Sequence, residues 1–209
     1  KVTTKQVTIT VTNLKSKPYI DLTLQMMKHF GYEVVNGNYE YFTVSPINLL
    51  TDQPINYTVE GDWSGAAFLL VAGAVAGEII VKGLDVFSTQ ADKAILQALM
   101  IAKANLSVTE KEIMVSPGRL QAFNFNANDC PDLFPPLVAL AAYCDGTTVI
   151  EGVHRLTHKE SKRALTLQQE VGKMGVEIGL QEDLKVNKGG TGTGARGDCQ
   201  TDTRNAMGC

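Results

Sequence analysis

Aromatic residues make up only 7% of this 209-residue chain, with a single tryptophan, so nothing suggests a stacking platform for bases or sugars. Positive charge is not in excess. Lysine and arginine number 19 against 22 aspartates and glutamates, a net charge of −3, which argues against a nucleic-acid binder driven by bulk positive potential. A local basic pocket for a small phosphorylated ligand remains compatible with that balance. The longest apolar run, Ala66–Ala76, is far short of the ~20 residues that a bilayer span needs and reads as a buried helix. The four cysteines, Cys130, Cys144, Cys199 and Cys209, form no CxxC pair and have no histidine cluster beside them. Zinc and a disulfide framework are therefore not expected, and reduced, mostly buried thiols are. Lys1–Asn13 alternates like a strand without an apolar signal core, so a cytoplasmic location is expected and secretion is not. The glycine-rich stretch Gly189–Gly194 lacks the GxxxxGK[ST] order of a phosphate loop. What remains is an ordinary globular composition, 44% hydrophobic and 20% charged.

Strands alternate with helices along the chain. Val7, Ile9 and Val11 recur at period two, and Ser16-Lys17-Pro18 opens a helix with Ser16 as its expected N-cap. Ile20, Leu24, Met27 and Phe30 share one helical face, and Gly31 ends it. A strand Tyr32–Val35, a turn at Asn36-Gly37 and a strand Tyr39–Val44 form the predicted hairpin. A strand Tyr57–Glu60 is followed by a helix capped by Asp62, a strand Glu78–Lys82, a helix Ala91–Ala102 and short strands Leu106–Val108 and Ile113–Val115. A strand Leu120–Phe125, a helix Leu133–Tyr143, a strand Thr147–Glu151, a helix Ser161–Met174 and strands Val176–Ile178 and Leu184–Val186 complete the reading. The glycine-flanked segments Gly77–Gly83 and Gly146–Gly152 match at an offset of 69 residues, each after an apolar helix. Leu-Thr-Leu-Gln occurs at both 22–25 and 165–168. The fold class is thus α/β (α+β), built from repeated βαβαββ units and incomplete at the front.

Three clusters could carry chemistry. Ser16-Lys17-Pro18-Tyr19 presents a hydroxyl and free N–H groups at a helix start, which suits an anion or simply a capped helix. Asp132, after Asp129-Cys130-Pro131, lies at a strand-to-helix junction and can act as a helix cap or as a general base. In His158-Lys159-Glu160-Ser161-Lys162-Arg163, Lys159 and Arg163 fall on one helical face and could converge on an anion, with Glu160 between them. A solvated, charged first turn explains the same pattern.

Taken together, the ordered strings resemble the enolpyruvylshikimate-phosphate synthases. They are Ser-Lys-Pro-Tyr-Ile-Asp at 16–21, Val-Glu-Gly-Asp at 59–62, Pro-Asp at 131–132, Gly-Thr-Thr-Val at 146–149 and Lys-Glu-Ser with Arg163 at 159–163. The resemblance implies a fragment of a protein about twice as long, whose two domains each hold three βαβαββ units with the active site in the cleft between them. Residues 1–60 would be the last unit of the first, shikimate-phosphate-side domain. Residues 61–209 would be the first two units of the second domain and the start of its third. The implied reaction moves the enolpyruvyl group of phosphoenolpyruvate to the 5-hydroxyl of shikimate 3-phosphate with release of phosphate. No metal or other cofactor, nucleic acid or membrane takes part, and a monomer is expected.

By the same resemblance Ser16, Tyr19 and Lys159 contact shikimate 3-phosphate, and Asp132 binds its hydroxyl as general base. Glu160 moves protons to and from the enolpyruvyl methylene. Arg163 and Arg204 bind phosphoenolpyruvate. The sequence departs from the family in three places. Thr201-Asp202-Thr203-Arg204 stands where the family has Asn-Asp-His-Arg, Lys162 stands where an acid is common, and Arg155 stands where a side-chain amide can meet substrate. The alternatives are the related transferase that acts on UDP-N-acetylglucosamine and a folded fragment without catalysis. The fragment alone is expected to be inactive.

Overall fold

Asp62 starts the helix that organises the second part of the chain. Its carboxylate accepts hydrogen bonds from the backbone N–H groups of Ser64 (3.0 Å) and Gly65 (3.3 Å), as the sequence led one to expect. The computed structural model describes residues 5–46, 55–156, 163–180 and 184–187. In chain order the elements are β1 (Val7–Thr10), α1 (Lys17–His29), β2 (Val34–Gly37), β3 (Tyr41–Val44), α2 (Trp63–Val75) and β4 (Ile79–Lys82). There follow α3 (Ile95–Ile101), β5 (Asn105–Val108), β6 (Glu112–Ser116), β7 (Asn124–Asn126) and α4 (Phe134–Ala142). The described part ends with β8 (Thr147–Glu151), α5 (Arg163–Lys173), β9 (Ile178–Leu180) and β10 (Leu184–Asn187). Single 3₁₀ turns, Ala91–Ala94, Pro131–Leu133 and Val153–Leu156, precede α3, α4 and α5. The chain divides into two compact units, Lys1–Val59 with Thr89–Ala91, and Glu60–Ser88 with Asp92–Cys209.

One strand arrangement occurs three times. A strand leads through a helix to two further strands, and the last strand pairs antiparallel between the other two: β1-β3-β2, β4-β6-β5 and β8-β10-β9. β7 adds to the third sheet in parallel with β8, through a crossover that contains α4. The repeated segments Gly77–Gly83 and Gly146–Gly152 carry β4 and β8, which hold equivalent places in their sheets. The duplication read from the sequence is therefore present in the topology.

The core of the second unit forms where α2 packs on β4, β6 and α4. Both helices are apolar on nearly every side, so they are buried rather than amphipathic. Strand β6 alternates, with Ile113 and Val115 buried and Met114 outward. Pro135 and Pro136 fall in the first turn of α4, where a missing N–H costs no helical bond. Helix α1 in the first unit has no fully buried residue, although Ile20, Leu24 and Met27 lie half-buried on the predicted face.

Some expectations need correction. Residues 57–60 form no strand, because none of the described residues pairs with them as β8 pairs with β7. The hairpin turn lies further along than Asn36-Gly37. Gly37 pairs with Tyr41, leaving Asn38, Tyr39 and Glu40 as the loop. Asn36 works from the strand end, its Oδ1 accepting the Tyr39 N–H at 2.8 Å, while Asn38 and Tyr39 take φ of 50° and 61°. The expected strand Leu120–Phe125 shrinks to Asn124–Asn126, preceded by a single bridge from Gln121 to Asp145. The expected strand Val176–Ile178 begins two residues later, at Ile178. Among the described residues no helix is long and apolar enough to cross a membrane.

Two glycines four residues apart, Gly73 and Gly77, give a direct check on this packing. A Cβ on Gly73 in α2 would meet Val115 Cβ and the Val115 carbonyl at 3.1 Å and Ile79 Cβ at 3.3 Å, whereas one on Gly77 would meet nothing within 4 Å. Gly73→Val is expected to destabilise the second unit by about 1–3 kcal/mol through overpacking, in urea unfolding. Gly77→Ala is expected to be neutral or stabilising by about 0.4–1 kcal/mol.

Candidate functional site

The first cluster stands at the start of α1. Ser16 occupies the N-cap position in a left-handed conformation, φ 56° and ψ 51°, and its side chain makes no cap hydrogen bond. The expectation that its hydroxyl caps the helix is thus corrected: the left-handed backbone aims the side chain away from the N–H groups it would cap. Its carbonyl accepts the Tyr19 N–H at 3.1 Å, closing the first turn and fixing Tyr19 one turn into the helix. A non-glycine residue held in this conformation carries strain, and such strain concentrates at functional positions. Beside it, the Lys17 ammonium lies 4.8 Å from the Tyr39 ring centroid, and the Tyr39 hydroxyl donates to Asp21 Oδ1 at 2.7 Å. That hydrogen bond to Asp21 pushes the Tyr39 hydroxyl above its ordinary pKa.

Asp132 belongs to the second unit, in the 3₁₀ turn Pro131–Leu133 that leads into α4. It is 7% exposed, one of few buried carboxylates. A backbone ladder of turns delivers it. Ala127 N–H donates to the Glu151 carbonyl (3.1 Å), Cys130 N–H to the Ala127 carbonyl (3.2 Å), and Leu133 N–H to the Cys130 carbonyl (3.0 Å). The segment starts against the end of β8, where Gly152 has φ 99° and a Cβ would lie 3.0 Å from Asn128 N. Only glycine satisfies both demands comfortably.

Polar side chains frame the same junction. Asn126 Nδ2 donates to Glu151 Oε2 at 2.8 Å, and Asn126 Oδ1 accepts from both Asn128 N (3.0 Å) and Asn128 Nδ2 (2.9 Å). Arg155 Nε donates to the Asn128 carbonyl at 3.2 Å. Next to Asp132, the Cys130 thiol is pushed up to about 12 by burial, with the charges of Asp92, Asp129 and Asp132 adding to the effect. Asp92, like Asp132, is buried, at 5% exposure. Sequence reading missed this framework and the place of Asp92. The run Asn124-Phe125-Asn126-Ala127-Asn128 was its available signal, since alternating asparagines at a strand end offer side-chain acceptors for backbone N–H groups.

The sequence-predicted residues divide accordingly. Ser16 and Tyr19 come together in one helical turn of the first unit, and Asp132 stands in the second. Lys159, Glu160 and Arg204 lie outside the described residues. Arg163 opens α5. Among the described residues no group of three or more His, Cys, Asp or Glu side chains is arranged to hold a metal ion.

Comparison with known proteins gives a consistent result. The family model described as EPSP synthase (3-phosphoshikimate 1-carboxyvinyltransferase) matches residues 1–209. The 3-phosphoshikimate 1-carboxyvinyltransferase of Clostridium novyi (strain NT) is 36% identical over 181 residues, covering 87% of this chain and 41% of that protein. The protein of the same name from Methanopyrus kandleri is 34% identical over 198 residues, covering 94% and 45%. The chain therefore spans less than half the length of these curated relatives. Among solved structures, an EPSP synthase from Acinetobacter baumannii aligns with TM-score 0.76 at 21% identity, over 98% of this chain and 49% of that one. The enolpyruvyl transferase NikO from Streptomyces tendae aligns with TM-score 0.66 at 18% identity, over 90% and 43%. The fold is the one these two structures share, present here in part.

The thiol next to Asp132 supplies a check on the site's geometry. Cys130 and Cys144 are both buried, and both thiols are pushed up to about 12 from 9.0. In the folded protein neither is expected to react with iodoacetamide at pH 8, while both react once it is unfolded, as read by mass spectrometry of the alkylated peptides. Because these groups hold their protons longer when folded, their contribution to stability is intact below pH 9 and is lost as pH rises toward 12. Native labelling of Cys130 at pH 8 would contradict the buried placement of the Asp132 turn.

Proposed function

The chain belongs to the EPSP synthase family, and on that premise we propose that it forms part of an enzyme that transfers the enolpyruvyl group of phosphoenolpyruvate to the 5-hydroxyl of shikimate 3-phosphate. Residues 1–60 are the last unit of the shikimate-phosphate-side domain, and residues 61–209 are the first two units of the second domain with the start of its third. The enzyme is a cytoplasmic monomer. The named relatives favour shikimate 3-phosphate over a nucleotide sugar as the acceptor.

The chemistry brings two strongly anionic molecules together, so cations must offset their repulsion. Ser16, Tyr19 and Lys159 hold shikimate 3-phosphate, and Arg163 and Arg204 hold phosphoenolpyruvate. Asp132 takes the proton of the 5-hydroxyl as its oxygen bonds to the central enolpyruvyl carbon, while the methylene carbon gains a proton from Glu160. Glu160 then removes a methyl proton, the double bond re-forms, and the carbon–oxygen bond to phosphate breaks, the departing phosphate oxygen taking up the proton that Asp132 removed from the hydroxyl. Atoms balance: one enolpyruvyl ether and one inorganic phosphate leave.

The observation that carries this reading is the buried carboxylate of Asp132 at the mouth of α4, held by a ladder of backbone hydrogen bonds, in a chain matched end to end by the family. Asp132→Asn in a full-length synthase carrying this segment keeps the shape and removes the basic site. The expected result is a kcat lower by about 10²–10⁴, the usual contribution of general acid–base catalysis, with melting temperature and shikimate 3-phosphate binding near the parent's. Turnover within a few-fold of the parent would leave Asp132 a structural group and move the base role to Glu160. The chain by itself is expected to release no phosphate from the two substrates above a heat-treated control, because positioning is lost when part of the clamp is missing.

A further inference from the structure

Arg155 links the turn after β8 to the segment that leads to Asp132. It lies in the 3₁₀ turn Val153–Leu156, directly after β8. Val153 and Leu156 are buried and anchor that turn, and the Arg155 N–H donates to the Gly152 carbonyl at 2.9 Å. The guanidinium is half-buried, and its Nε reaches across to the Asn128 carbonyl at 3.2 Å. Four residues further along its own strand of chain comes Lys159, then Glu160. Four residues beyond Asn128 comes Asp132.

Asn126 Oδ1 holds both the backbone N–H and the side-chain Nδ2 of Asn128, and Arg155 takes the Asn128 carbonyl oxygen. Asn126 is held in turn by Glu151, so the network returns to the end of β8 from which Arg155 starts. The loop closed this way runs Glu151, Asn126, Asn128, Arg155. A guanidinium suits the position because it is always charged and its N–H groups lie in a rigid plane. Beyond Asn128 the turns at Cys130 and Leu133 leave the backbone little freedom, so displacement of Asn128 is passed on to Asp132.

We propose that Arg155 is a positioning residue for Asp132, holding the Asn128 segment that leads to Asp132 against the turn after β8. The proposal rests on the assignment of Asp132 as base. Arg155 acts through the Asn128 backbone.

Steady-state kinetics and thermal melting on a full-length synthase carrying this segment test it. Arg155→Ala is expected to lower kcat by about 10–100-fold, the scale that a displacement near 1 Å produces, with KM for shikimate 3-phosphate within about threefold. Arg155→Lys keeps the charge but loses the Nε–H and is expected to follow the alanine variant; it is read in its place should Arg155→Ala fail to fold. In an Asp132→Asn background, Arg155→Ala is expected to cost less than about threefold more, since the group it positions has lost its basicity. A raised KM with kcat preserved would make Arg155 a substrate ligand and overturn the proposal. A lowered melting temperature with kcat and KM both preserved would reduce it to a brace and also overturn it. Full additivity with Asp132→Asn would show action independent of Asp132. Turnover kept in Asp132→Asn alone brings down the base assignment and this proposal together, whereas turnover lost there but kept in Arg155→Ala brings down only this one.

Discussion

The missing side chain of Gly152 is the constraint from which the candidate site follows. At φ 99° and with the Asn128 backbone where a Cβ would stand, this position brings the end of β8 against the segment that leads to Asp132. That approach lets the Glu151 carbonyl accept the Ala127 N–H and brings Asn128 within reach of Arg155. Rigid supporting contacts of this kind are what hold a reacting group to within a fraction of an ångström.

The same economy runs through the fold. A strand, a helix and two strands, with the last strand in the middle, occur three times. In the second unit the apolar helices α2 and α4 pack together and on β4 and β6, which fixes the ends of the strands from which the loops spring. Close approach is obtained by omission here too. Gly73 lets α2 lie on Val115 and Ile79, and Gly61 lets its own N–H reach the Gly83 carbonyl at 3.2 Å where a Cβ would stand 2.6 Å from that oxygen. The site thus depends on backbone geometry set by glycine and on turns set by asparagine, with the charged residues added last.

Much of this was legible in the residues. Period-two alternation gave β1, continuous apolarity gave α2 and α4, and the glycine-flanked repeat gave β4 and β8 their equivalence. Asp62 was readable as a cap because an aspartate before an apolar run has little else to do. The asparagine in Asn36-Gly37 misled, since its side chain serves the backbone from the strand end and displaces the turn to Asn38–Glu40. Ser16 misled likewise, because local sequence does not reveal a left-handed backbone. The Asp132 position was legible as a junction, but its framework was not. Asn126, Asn128, Glu151 and Arg155 are separated by up to 29 residues, and only the parallel pairing of β7 with β8 brings them together.

The central claim is that Asp132 is held where it can take the proton of the shikimate 3-phosphate 5-hydroxyl. The most direct test is a crystal structure of a full-length synthase carrying this segment with shikimate 3-phosphate bound. The account predicts a carboxylate oxygen of Asp132 at about 2.6–3.2 Å from the 5-hydroxyl oxygen, with the Arg155–Asn128 contact in place. A 5-hydroxyl that meets another side chain, with the Asp132 carboxylate turned onto the N–H groups of α4, would contradict it.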